Sequence, residues 1–148
     1  MSDKKILWIE GENHYAMSAS NYAGHEAFAS FPWQSTDSPE EGIEIISEGH
    51  FKGVFMVGLK SRLPILSEEL ATSALPSEIK GPYCGRLLLA RYATKKSLPV
   101  LVRPYNDREV RAASSAGLEL FNYDSRQEKE GLGFELALAR RFEEVFGV

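Results

Sequence analysis

Three short apolar runs constrain this chain most: Lys4-Lys-Ile-Leu-Trp-Ile9, Gly53-Val-Phe-Met-Val57 and Leu98-Pro-Val-Leu-Val102, each running directly into a loop. Runs of this length without polar alternation suit strands buried on both faces, as in parallel sheets covered by helices. Between them lie stretches with helical spacing, and strands alternating with helices predict an α/β domain with a parallel sheet. In such sheets chemistry sits where the strands end. Here the middle run ends in Gly58, and Phe51 to Ser67 contains no Asp or Glu.

A first strand is expected over Lys4 to Ile9 and a helix from about Asn13 to Ala29, with Asn13 as its cap. Phe31 to Ser35 reads as a short second strand, which Pro32 assigns to an edge because proline donates nothing to a ladder. Ser38 caps a helix with Pro39 at its first position and Glu40 and Glu41 in its first turn; Ile43, Ile46 and Phe51 extend its apolar side. After the strand Gly53 to Val57, the segment from Leu59 to about Pro82 is long for a strand–helix connection, normally ~2–6 residues. A helix over Gly85 to Lys96 and a strand over Leu98 to Val102 follow. Asn106 or Asp107 caps a further helix that stops at Gly117. Leu118 to Phe121 is the fifth strand, and a helix from about Gln127 to Phe146 carries Phe134, Leu138, Phe142 and Val145 on one stripe.

With 148 residues the chain fits a single domain spanning 1–148. Its net charge of -4 argues against a nucleic-acid-binding surface. Apolar stretches fall short of the ~20 residues that cross a bilayer, so no membrane association is expected. The start, Met1-Ser-Asp-Lys-Lys5, lacks a signal peptide's apolar core. A lone cysteine, Cys84, rules out an internal disulfide and suits a reducing compartment. A cytoplasmic location is expected.

Five pieces, in order, carry a resemblance: Lys5-Ile-Leu-Trp-Ile-Glu-Gly-Glu-Asn13, Gly53-Val-Phe-Met-Val-Gly58, Gly81-Pro-Tyr-Cys-Gly85, Leu98-Pro-Val-Leu-Val102 and Ala116-Gly-Leu-Glu-Leu-Phe121. Together they resemble the receiver domain of two-component response regulators, across the chain except an insertion at about 59–80. The resemblance implies a flavodoxin-like three-layer α/β/α sandwich with five parallel strands in the order 2-1-3-4-5 and an insertion after strand 3. Receivers take a phosphoryl group from a histidine kinase onto an Asp, with acidic ligands for Mg²⁺, a hydroxyl and a lysine around it.

Those positions are altered, with one member of the acidic pair left. The acceptor position falls on Gly58, the acidic pair is reduced to Glu10 with Glu12 nearby, the hydroxyl position falls on Pro104, and the lysine position is Asp124. Shifting the alignment by one or two residues restores neither the acceptor, the hydroxyl nor the lysine. The resemblance therefore implies an atypical or pseudo-receiver, acting without phosphorylation through protein–protein contact in bacterial signalling, with no enzymatic activity and no cofactor. A signalling protein or a second copy, as a homodimer, is the expected partner. The alternative is a small-molecule or anion-binding domain of the same topology, with Lys60, Arg62 and Arg103 as donors, or an enzyme using the charged sheet mouth. Against it stands an internal pairing of Arg103 with Glu10 or Asp124.

Other residues weigh less. His14, His25 and His50 lack metal-ligand spacing, and Cys84 has no basic neighbour in sequence to stabilise a thiolate. Gly131-Leu-Gly133 is no dinucleotide fingerprint. Trp8 and Trp33 suit core or edge packing. Two partner surfaces are expected: Leu66 and Leu70 in the insertion, and Phe134 and Leu138 on the last helix.

Overall fold

The computed structural model describes residues 5–10, 32–59, 84–121 and 133–147, which form five strands and four helices. In chain order they are β1 (Lys5–Ile9), β2 (Trp33–Thr36), α1 (Pro39–Glu48), β3 (Phe51–Val57), α2 (Cys84–Lys95), β4 (Val100–Arg103), α3 (Asp107–Ser115), β5 (Glu119–Leu120) and α4 (Phe134–Phe146). The strands form one parallel sheet in the order β2-β1-β3-β4-β5. The expected helix over 13–29 and most of the insertion lie outside the described residues.

Local signals account for most boundaries. The Ser38 hydroxyl accepts the Glu41 amide at 3.2 Å, with Pro39 opening α1. Asn106 is the cap of α3, its side chain accepting the Glu109 amide at 2.9 Å. Gly117 follows α3 with φ 74°, the left-handed stop that glycine adopts without strain. Pro32 immediately precedes β2, which is indeed an edge strand. Phe51 departs from expectation: it starts β3 rather than continuing the face of α1, because the helix ends at Glu48 and Phe51 pairs with Lys5.

Alternate residues of the central strands feed two cores. Ile6, Trp8, Phe55 and Val57 join Leu138, Phe142 and Phe146 of α4. Leu7, Ile9, Val54 and Met56 join residues of α1, α2 and α3. Because strand side chains alternate in direction, these clusters lie on opposite faces of the sheet. The first is aromatic. Trp8 meets Phe55 edge-on at 4.8 Å, and Phe142 sits 5.0 Å from Phe55 and 5.2 Å from Phe146. Trp8 is thus core, and Trp33 packs against the same cluster from the edge strand. A Cβ on Gly53 would come within 2.3 Å of the Phe146 ring, so the absent side chain is what lets the last turn of α4 lie on β3.

Leu138 is fully buried in this cluster and belongs to the core, not to a partner surface. Leu138, Phe142 and Phe146 of α4 are spent on its own sheet, with Val145 packed beside them. Leu136, on another side of the helix, is the exposed leucine there.

Candidate functional site

Strand order places β1 and β3 side by side while their connections depart in opposite directions, to β2 and to β4. That makes the carboxyl ends of β1 and β3 the topological switch point, where open α/β sheets bind ligands. Glu10 follows β1, Gly58 and Leu59 follow β3, and Arg103 to Tyr105 end β4 and lead from it. Backbone bonds extend the sheet into this rim: the Glu10 amide donates to the Thr36 carbonyl at 2.9 Å, and that of Gly58 to the Arg103 carbonyl at 2.9 Å.

The strand ends at this point are held by the chain's own buried side chains. Arg86, in the first turn of α2, is fully buried. Its Nη1 donates to the carbonyl oxygens of Val57 at 2.8 Å and Gly58 at 3.1 Å, and its Nη2 donates to the carbonyl of Glu10. One planar guanidinium thereby ties the ends of β1 and β3 together, a task suited to a rigid fork and not to an ammonium.

A second buried charge arrives from the other flank. Glu109 of α3, 3% exposed, accepts the Leu59 amide on Oε1 at 2.6 Å. At the third position of a capped helix a glutamate ordinarily turns back to its own cap. Here it reaches across to the end of β3 and satisfies a buried amide just past the strand.

Gly58 sits between these groups with φ +78°, in a region L side chains rarely adopt. A Cβ there would lie 2.9 Å from Tyr105 Cδ2 and 3.3 Å from Glu109 Oε1. The position therefore requires glycine for its backbone and for its neighbours. A carboxylate placed at 58 would meet the face of a tyrosine and a second carboxylate.

Tyr105 closes the site from outside. Burial pushes its phenol up to about 12 from the ordinary 10.0; Arg103 pulls it down, Glu109 adds to the rise and Arg86 opposes it. The Arg103 guanidinium lies 5.6 Å from the Tyr105 ring centre and donates to the Pro104 carbonyl. A phenol held this high is protonated and a poor nucleophile at neutral pH.

Of the residues singled out in the sequence, Glu10, Gly58, Arg103 and Pro104 meet at this rim. Glu12, Lys60, Arg62, Leu66, Leu70 and Asp124 lie outside the described residues, as does the side chain of Phe134. The pairing of Arg103 with Asp124 falls there too. Among the described residues no group of three or more His, Cys, Asp or Glu side chains could hold a metal ion. No helix among them is long and apolar enough to cross a membrane.

Sequence reasoning missed Arg86 and Glu109. A signal existed for the first: Arg86 interrupts Gly85-Arg-Leu-Leu-Leu-Ala90, and a charge inside so apolar a run must find partners when the helix packs. For Glu109 the capping pattern hid the long-range role.

No family model and no curated protein matches the chain. Among solved structures it is similar to a chain of the co-crystal structure of a Saccharomyces cerevisiae histidine phosphotransfer signalling protein and the receiver domain of its downstream response regulator. The TM-score is 0.55 at 14% identity, over 97% of this chain and 89% of that one.

Proposed function

We propose that this chain is a pseudo-receiver: a flavodoxin-like, three-layer domain that accepts no phosphoryl group and works by contact with a protein partner in cytoplasmic signal transduction. One observation carries the reading. At the switch point, where such a sheet would hold its ligand, the backbone of the strand ends is bonded by the chain's own Arg86 and Glu109, around a glycine at which any side chain would be strained.

Likeness in fold to a chain from a phosphorelay complex supports the signalling part of the proposal. The chemistry of the rim supports the rest. Aspartyl phosphorylation needs a carboxylate oxygen in line with the donor and a cation to neutralise the transferred oxygens. Gly58 offers no side-chain oxygen, Pro104 no hydroxyl, and the Arg86 guanidinium is already directed at three carbonyls. A receiver switches by exchanging contacts at this rim; fixed internal contacts would hold the domain in one state, with its partner recognising that state. The partner is a signalling protein or a second copy of this chain, and no catalytic role or cofactor is assigned.

Acetyl phosphate with Mg²⁺ tests this. The purified chain is expected to show no hydroxylamine-labile phosphoryl adduct by intact mass, while a phosphorylatable receiver treated in parallel shows one. A stoichiometric adduct on this chain would overturn the proposal.

A further inference from the structure

Arg141 of α4 reaches off its helix to the last strand of the sheet. Its Nε donates to the carbonyl oxygen of Leu120 at 3.2 Å, its Nη2 to Glu119 Oε2 at 2.8 Å and its Nη1 to Glu144 Oε2 at 2.9 Å. The two carboxylates come from different elements, Glu119 from β5 and Glu144 from the next turn of α4, so the guanidinium is held from both sides. Exposed ion pairs of this kind add little to stability. Their effect here is geometric. They fix the plane of the fork so that its remaining donor meets one backbone oxygen.

That oxygen belongs to the open side of the strand. Among the described residues β5 is terminal in the sheet, and Leu120 lies opposite Val102 of β4. Peptide groups along a strand point to alternate sides. The Phe121 amide donates inward to the Val102 carbonyl at 2.8 Å, so the N–H and C=O of Leu120 face away from β4. Outward groups of an edge strand are a template on which another strand can add. A charged side chain laid along the edge opposes this, because an incoming strand must desolvate the guanidinium and displace it from the carbonyl.

We propose that Arg141 is an edge guard: it occupies the outward carbonyl of β5 and keeps a second copy of this chain from pairing there and extending the sheet. Two identical edges can meet about a two-fold axis, each offering the other the same backbone groups, which makes a second copy the natural intruder. The inference goes beyond the pseudo-receiver reading and does not depend on it. A second copy acting as partner meets the chain on another surface.

Arg141→Ala and Arg141→Met test this. Both delete the donors, while methionine keeps an apolar stem on the helix, so an effect shared by the two belongs to the guanidinium. In analytical ultracentrifugation each variant is expected to self-associate about ten-fold or more tightly than the parent, as regained backbone bonds across a symmetric pair allow. The Leu120 amide should exchange with solvent more slowly as the concentration of either variant rises, and not do so in the parent. Adding Leu120→Pro, which removes the outward N–H, should restore the parent's association state. Association no tighter than the parent's, association that leaves the Leu120 amide unprotected, or association that survives Leu120→Pro would overturn the proposal. So would an effect confined to one of the two substitutions. None of these outcomes bears on the acetyl phosphate experiment, so the two readings fail separately.

Discussion

Arg86 donates through Nη1 to the carbonyl oxygen of Gly58 at 3.1 Å, twenty-eight residues back in the chain and on the neighbouring element of the fold. The same nitrogen reaches Val57, and the other terminal nitrogen reaches Glu10. A buried cation thus holds the ends of the two central strands in fixed relation. That fixed relation at the switch point is the feature with consequences.

Arg86→Met is expected to cost about 3–5 kcal/mol in urea unfolding, because three carbonyls lose a charged donor in a dry site. Arg86→Lys should recover little of it, since a single ammonium cannot span β1 and β3 as the fork does. Full recovery by lysine would mean that only charge matters there.

Gly58→Asp should not rebuild an acceptor. The left-handed backbone and the 2.9 Å approach of Tyr105 are expected to cost about 1–3 kcal/mol, and the new carboxylate would face Glu109. Thermal unfolding together with intact mass after acetyl phosphate checks both points. A variant as stable as the parent that takes up label would contradict them.

Glu109→Ala leaves the buried Leu59 amide without its acceptor and should lose about 1–3 kcal/mol. Glu109→Gln keeps an oxygen in the same place and should retain most of the stability. Urea midpoints of the two variants decide whether the hydrogen bond or the charge is what counts.

The Tyr105 phenol has a folded pKa of about 12 against 10.0 in an open chain, chiefly through burial. The unfolded state therefore releases this proton first, and the contribution to stability is complete below pH 10 and lost as pH rises toward 12. In an ultraviolet difference titration against Tyr105→Phe, the missing phenol should titrate about two units high. In the Glu109→Gln background it should titrate lower, because Glu109 contributes to the rise.

Gly53→Ala should cost about 1–3 kcal/mol by forcing the Phe146 ring off the sheet. Part of that loss should return in a Phe146→Leu background, read from a double-mutant cycle. Additive costs would show that the two positions do not press on each other.

The alternation of apolar runs and helical spacing was enough to give the α/β character and the parallel strands, and Ser38, Pro39 and Gly117 were enough to mark helix ends, because these depend on neighbours a few residues away. The missing carboxylate at Gly58 and missing hydroxyl at Pro104 were legible for the same reason: identity at a position needs no coordinates. What takes their place was not legible. Arg86 meets Glu10 across seventy-six residues and Glu109 meets Leu59 across fifty, so only the packed sheet and its helices bring them together. Tertiary structure likewise decided that Leu138 faces inward and that Gly58 is a backbone requirement, not merely an absent aspartate. Periodicity tells a helix which side is apolar. Only the packed domain determines what that side covers, and only the packed domain brings a distant arginine to the ends of β1 and β3.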